Sequence, residues 1–342
     1  MSVVKRYRLA VMSPANLPSE SPHAWPGVSV ILTVINEAAH LRSSIEAILN
    51  SGYPGELEIA IAVGPSIDET EKIARELAVD SRIQVLENRS GRTPDGLNAA
   101  IAATKNEIIV RVDGHSEISP GYIRRAVEII QNTGAVNVGG VMAAEGISPF
   151  QRAVARAMRS KIGVGPSRFH TGGKAGSTDT VYLGVFKREA ILAIGGYDPR
   201  FTRAQDWEMN FRLRKAGGVI WFDPNLQVTY RPRKTPRELA SQYFQYGRWR
   251  RAVLRHHKGA TNARYLAPPI NLLIQVISLP SAIAISPIFW IPLVGYLGAI
   301  KIASLNLGDD WSERIRLPIV LIIMHFSWGF GFITSPRTLI SN

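Results

Sequence analysis

The stretch Ile108-Ile109-Val110-Arg111-Val112-Asp113-Gly114-His115 decides how the front of this chain is read. Its mostly apolar start is a strand of the buried kind, and a carboxylate stands where the strand ends. Three further runs of the same kind precede it, at Val28–Thr33, Leu57–Val63 and Ile83–Leu86. Between them lie helical patterns. The first passes through Leu41, Ile45, Ile48 and Leu49 and stops at Ser51-Gly52-Tyr53-Pro54. The second, from Ile67 to Val79, is opened by Ser66-Ile67-Asp68-Glu69, which has the spacing of a capping box. The third follows the turn Ser90–Gly96 and reaches Thr104. This alternation predicts an α/β, mostly parallel, Rossmann-like doubly wound sheet whose ligands bind at the carboxyl ends of its strands. Chemistry is therefore sought at Asn36-Glu37, Gly64–Asp68, Arg89–Asp95 and Asp113-Gly114-His115.

Asp113 and His115 are two residues apart, so both can return to one side of an extended segment. A carboxylate with an imidazole suits Mn²⁺ and is tolerated by Mg²⁺. A plain turn at a strand end explains the same tripeptide. Further on, Gly195-Gly196-Tyr197-Asp198 reads as a turn, and Asp206 starts a helix through Met209, Phe211 and Leu213. An acid there is either a proton acceptor or a partner of the helix terminus, and Glu208 is the rival base. Lys174, in Gly172-Gly173-Lys174-Ala175-Gly176, lacks the spacing of a nucleotide-binding P-loop.

The chain has no cysteine, which excludes disulfides, thiolate zinc sites and a cysteine nucleophile. Its formal net charge is +13, with 40 Lys+Arg against 27 Asp+Glu. Much of that charge lies in Arg231–Lys258, directly before an apolar tail, and no nucleic-acid-binding motif accompanies it. A membrane surface, rather than nucleic acid, is the expected partner. Residues 1–27 carry four spaced prolines and no signal-peptide core, so they read as a cytoplasmic tail. Segments near Pro268–Ser286, Pro287–Ser304 and Pro318–Ser335 approach the ~20 apolar residues needed to cross a bilayer. Two or three membrane helices within 266–336 are expected, with Arg314 and Arg316 in a cytoplasmic loop and the C-terminus outside. Pro236–His257 places Leu239, Tyr243, Tyr246, Trp249 and Val253 at near-helical spacing among arginines, as in a basic amphipathic helix of the membrane interface over 233–262.

Taken in order, Val28–Glu37, the Ser66–Glu69 segment, Gly96-Leu97-Asn98, Asp113-Gly114-His115, Gly195–Asp198, Gln205-Asp206 and Gln245-x-x-Arg248-Trp249 resemble the family 2 inverting glycosyltransferases of GT-A fold. The Arg-Val-Asp-Gly-His form and the apolar tail look most like membrane-attached enzymes of the succinoglycan-biosynthesis type. The resemblance implies a GT-A catalytic domain over 28–232. In it Thr33, Asn36 and Glu37 border the nucleotide, Arg92 and Asp113 approach the donor phosphates, and Asp113 with His115 holds a divalent cation. Asp206 would be the general base, and Gln245, Arg248 and Trp249 would hold the acceptor. Thr33 stands where the family usually has Pro, and Val63-Gly64-Pro65 replaces the acid that often binds the base, so a UDP-sugar is a default. The implied activity is transfer of a sugar from a nucleotide-sugar to a polyprenyl-linked saccharide, in a multi-pass protein of the cell membrane with its catalytic domain cytoplasmic. A polyprenyl-phosphate sugar synthase and a non-catalytic membrane scaffold are the alternatives.

Overall fold

The computed structural model describes residues 25–260 and 262–340, so most of the tail expected over 1–27 falls outside the described residues. Nine strands form one sheet: β1 (Val28–Val34), β2 (Leu57–Val63), β3 (Ile83–Glu87), β4 (Ile108–Arg111), β5 (Glu117–Ile118), β6 (Asn137–Ala144), β7 (Gly176–Ser177), β8 (Tyr182–Lys187) and β9 (Ile220–Tyr230). Their order is β3-β2-β1-β4-β8-β6-β9-β5, with β7 on β9. The first four are parallel. β8 then runs antiparallel between β4 and β6, so the second half of the sheet is mixed.

In β1 the residues Val30, Leu32 and Val34 enter one apolar cluster while Ile31 enters another on the opposite face. Alternation along a strand with helices on both sides leaves no polar face, which is why the sequence shows unbroken apolar runs. The chain winds from β1 to β3 on one side and returns to β4 on the other. The topological switch point at this reversal lies where β1 and β4 end, beside Asn36-Glu37 and Asp113-Gly114-His115.

The capping box at Ser66 does not form. The helix begins at Thr70, and the Ser66 hydroxyl instead accepts from the Asn36 N–H at 3.1 Å. Asp68 accepts from the Thr70 N–H at 3.0 Å and from the Ala38 N–H at 3.1 Å, bracing the two loops after β1 and β2. Loop-to-loop hydrogen bonds outcompete the local motif, because they satisfy donors of both loops together.

The segments Ala263–Ala284, Pro287–Leu307 and Trp311–Ile333 are long and apolar enough to cross a membrane. The last starts seven residues before the expected Pro318, because the Asp310 carboxylate caps it by accepting from the Glu313 N–H at 2.7 Å. Arg314 and Arg316 are therefore helical and not in a loop. The helix Pro236–His256, expected at the membrane interface, is instead sandwiched. Trp249 and Val253 pack with Phe201, Trp207 and Tyr265, whereas Leu239 and Tyr243 pack with Leu317, Val320, Leu321 and Met324 of the Trp311 helix. The Trp311 helix covers the flank that amphipathicity alone assigns to lipid.

Two glycines allow this close packing: a Cβ on Gly247 would strike the Trp328 carbonyl, and one on Gly331 the Phe244 carbonyl. Gly298, in the helix Ile291–Leu307, has open space around it. Gly247→Ala should therefore lower stability by about 1–3 kcal/mol, seen as a fall in Tm in detergent. Gly298→Ala should hold or raise Tm, since alanine is the better helix former by about 1 kcal/mol.

Candidate active site

The switch point is shaped by short-range contacts between loops. Asn36 has a left-handed backbone, φ 55°, and its side-chain oxygen accepts from the Ile67 N–H at 2.9 Å. The Thr93–Ala103 helix lies hard against β1: a Cβ on Gly96 would sit 2.8 Å from Thr33 Oγ1. Asn98 then grips the backbone of Tyr197 twice, donating to its carbonyl at 2.7 Å and accepting from its N–H at 2.9 Å. Two motifs a hundred residues apart in sequence thus form one joint. Arg92 is half exposed, stands at the N-cap of the Thr93–Ala103 helix and donates to Asp95 in its first turn at 2.7 Å.

Beyond β4 the chain turns on a bond from the Ser116 N–H to the Asp113 carbonyl, 2.9 Å. Gly114 permits that turn to lie on β1, since a Cβ there would meet Val34 Cγ1 at 2.6 Å. His115 Nδ1 lies 2.7 Å from Glu37 Oε1. The Glu37 hydrogen bond is the main cause that raises the His115 pKa above the ordinary imidazole value, against the opposing effect of burial. Glu37 therefore orients His115 and leaves Nε2 as its free ring nitrogen. A carboxylate holding the far nitrogen of an imidazole is the arrangement usual behind a metal-bound histidine.

Among the described residues no group of three or more His, Cys, Asp or Glu side chains could hold a metal ion. Two protein donors still fit a cation that takes most of its oxygens from a diphosphate and water, as Mg²⁺ and Mn²⁺ sites on nucleotides do.

Arg111 is the residue that joins the two sides of the site. Its side chain is 4% exposed; Nη2 lies 2.9 Å from Asp113 Oδ1, and Nη1 is in direct ion-pair contact with Asp206 Oδ1. Burial disfavours its charge, but Asp113 and the nearby phenols outweigh that and hold its pKa above the usual guanidinium value. The Tyr197 ring lies beneath the guanidinium, 5.9 Å to the centroid, and burial pushes that phenol up to about 12. Asp206 itself is in the first turn of the helix Gln205–Lys215, entered through a left-handed Ala204. Reading the motifs did not single out Arg111; the signal available was one charge inside an otherwise apolar buried strand.

Glu208 has a different task. Its side chain is 1% exposed and accepts from Arg212 Nε at 2.6 Å and Nη2 at 2.7 Å, with His257 Nε2 at 2.9 Å. The neighbouring Trp207 donates from Nε1 to the Tyr265 hydroxyl at 3.0 Å, and Arg250 stacks between those two rings at 4.4 and 4.5 Å. Glu208 and Trp207 thereby fasten the Asp206 helix to the segment that enters the membrane region.

Trp249 belongs to this same support. Its ring is 6% exposed, beside Phe201 with centroids 6.5 Å apart, so it presents no open face for a sugar. Arg248 lies over the Phe244 ring at 5.4 Å, and Gln245 is half buried. The fold therefore brings Asp113 and Asp206 onto Arg111, and Glu37 onto His115. Trp249 sits behind the Asp206 helix, and Arg92 stays at the start of its own helix.

The doubly wound, mostly parallel mixed sheet is a GT-A-like fold. The chain belongs to family 2 of the glycosyltransferases. The model of that family, Glycosyl transferase family 2, matches residues 29–195. The chain is 32% identical over 312 residues to the succinoglycan biosynthesis protein ExoA of Rhizobium meliloti (strain 1021), covering 89% of this chain and 93% of that one. It is 26% identical to the dolichyl N-acetyl-alpha-D-glucosaminyl phosphate 3-beta-D-2,3-diacetamido-2,3-dideoxy-beta-D-glucuronosyltransferase of Methanococcus voltae, covering 89% and 95%. In fold it is similar to the mannosyltransferase PcManGT of Pyrobaculum calidifontis, solved with GDP-Man and Mn²⁺. The TM-score is 0.62 at 20% identity, covering 89% of this chain and 87% of that one.

Removing Glu208 takes the carboxylate from a part-buried Arg212, which keeps its bonds to the Ile194 and Gly196 carbonyls. Glu208→Ala should cost about 1–3 kcal/mol of stability, read as a loss of Tm. Asp206→Asn should leave Tm within about 3 °C of wild type, because Arg111 keeps Asp113 as a partner and the amide keeps the shape.

Proposed function

We propose that this glycosyltransferase moves a sugar from a nucleotide-sugar donor to a lipid-linked saccharide at the membrane, with inversion at the anomeric carbon. The observation that carries the reading is the approach of Asp206 to Asp113 through Arg111. Thr33, Asn36 and Glu37 border the nucleotide in this reading, with Arg92 close to its phosphates. Asp113 and His115 would hold a divalent cation, which when bound neutralises charge on the departing diphosphate. Asp206 accepts the proton of the attacking sugar hydroxyl. The hydroxyl oxygen bonds to the anomeric carbon as the bond to the diphosphate breaks, and the proton stays on Asp206. Single displacement inverts the centre.

Gln245 and Arg248 are the acceptor contacts in this reading, and Trp249 acts by holding the Asp206 helix. The relatives named above, one a succinoglycan biosynthesis protein and one acting on a dolichyl-linked sugar phosphate, support a lipid-linked saccharide as acceptor. A UDP-sugar is the first donor to try, followed by GDP-sugars. Purified protein in detergent, given a panel of both with Mn²⁺ or Mg²⁺ and a membrane lipid extract, should add one sugar mass to a lipid. Asp206→Asn should reduce that transfer about 10²–10⁴-fold. Undiminished transfer by this variant would remove Asp206 from the mechanism.

The catalytic part is read as cytoplasmic, on a bilayer entered by two helices and not three. The Pro236 helix carries Arg237, Arg248, Arg250, Arg251 and Arg255. Each such charge costs about 2.5–3.5 kcal/mol at a bilayer centre. The Trp311 helix packs along it and shares its depth. At one end Glu313 bonds Arg156 of the helix Pro149–Met158 at 3.2 Å, and at the other Arg251 donates to the Phe332 carbonyl at 3.1 Å. Both ends are thus tied to the catalytic side. Its outward stripe Trp311, Ile315, Ile319 and Phe330 would face lipid at the surface. The Ala267 and Ile291 helices then form the membrane hairpin, and the C-terminus lies on the catalytic side, not outside as charge counting alone suggests. A chain without cysteine tests this directly: an impermeant maleimide applied to intact cells should label Ser286→Cys and spare Thr338→Cys. Labelling of Thr338→Cys under those conditions would mean three crossings.

A further inference from the structure

We propose that Arg111 is a positioning residue: by gripping Asp113 and Asp206 with one guanidinium it sets the separation between the donor side of the cleft and the base. This rests on the reading of Asp206 as proton acceptor. A buried cation costs several kcal/mol unless it is paired, so a lone arginine in a core strand needs a reason. Of the four residues of β4, Ile108, Ile109 and Val110 are apolar and only Arg111 is charged. Its place two residues before Asp113 puts both side chains on one side of the strand, where Nη2 reaches Asp113 at 2.9 Å.

The second partner, Asp206, comes from a helix ninety-five positions later and meets the other terminal nitrogen. The Tyr197 ring, itself pinned through Asn98, closes the space below the guanidinium. Arg111 is therefore held from one side by the Tyr197 ring and at its tip by the two acids.

The consequence is geometric. A guanidinium is a rigid planar fork, so the spacing of two carboxylates held by its two arms is set by covalent geometry and not by loops. Without it two carboxylates would face each other in a partly buried cleft and repel. Transfer needs the acceptor oxygen held in line with the departing phosphate, and a misplacement of about 1 Å costs on the order of 100-fold in rate. Lysine keeps the charge but offers one point of contact, so it cannot hold both acids at a fixed spacing.

The test compares wild type, Arg111→Lys, Asp206→Asn and the double variant, using the full chain in detergent with Mn²⁺ and the nucleotide sugar that wild type consumes. Arg111→Lys should keep Tm within about 3 °C and donor KM within about threefold, while kcat falls about 100-fold. On the Asp206→Asn background the lysine should cause no further loss of residual transfer, because Arg111 acts through that carboxylate. Wild-type kcat in Arg111→Lys, with Asp206→Asn inactive, overturns this proposal and leaves the general-base reading intact. An active Asp206→Asn removes the base reading itself. A fall of Tm and donor affinity in step with kcat assigns Arg111 to stability alone and also overturns the proposal. Should lysine prevent folding, Arg111→Gln is measured in the same way, and failure of both to fold counts against a positioning role.

Discussion

The site is organised around a buried arginine held between two acids. A cleft for sugar transfer needs negative groups on both of its sides, one to meet the cation at the donor phosphates and one to take a proton. Two such groups repel when brought together away from bulk water. The guanidinium of Arg111 answers that conflict, linking Asp113 at the end of β4 with Asp206 at the start of a distant helix. Most of what surrounds it, from Tyr197 below to the Asn98 joint beside it, holds this arginine and its partners in place.

Around that centre the fold is tied down in two directions. Toward the ends of β1 and β4, Glu37 holds His115 and the Asn36 loop is braced by Ser66 and Asp68. Toward the membrane side, Glu208 binds Arg212 and His257 while Trp207 reaches Tyr265. The Asp206 helix is therefore fastened to the same segment that leads into the apolar helices. Movement of that segment relative to the sheet would be felt at Asp206.

The Trp311 helix shows why hydropathy and architecture differ. By length and composition it matches its two apolar neighbours. Yet its ends are bonded to Arg156 of the helix Pro149–Met158 and to Arg251 of the Pro236 helix, and two glycines let it lie on the latter at backbone contact. Apolar character tells that a helix avoids water, and it does not tell whether lipid or protein does the covering.

The doubly wound strands and the switch point where β1 and β4 end were legible in the residues, because alternation and unbroken apolar runs are local consequences of strand geometry. So was the helix that starts at Asp206. The failed capping box at Ser66 was not, since its partner is Asn36, thirty positions away. Nor was the choice between Asp206 and Glu208: both acids stand in one helical turn, and only docking buries the second against Arg212 and His257. Trp249 and Arg111 follow the same rule. One was assigned to the acceptor and lies in a core; the other was given no role of its own and joins both acids. Local pattern determines which elements form, because it depends on neighbours in sequence. Which polar side chains meet is decided by long-range packing, since burial makes each of them take whatever partner the tertiary fold provides.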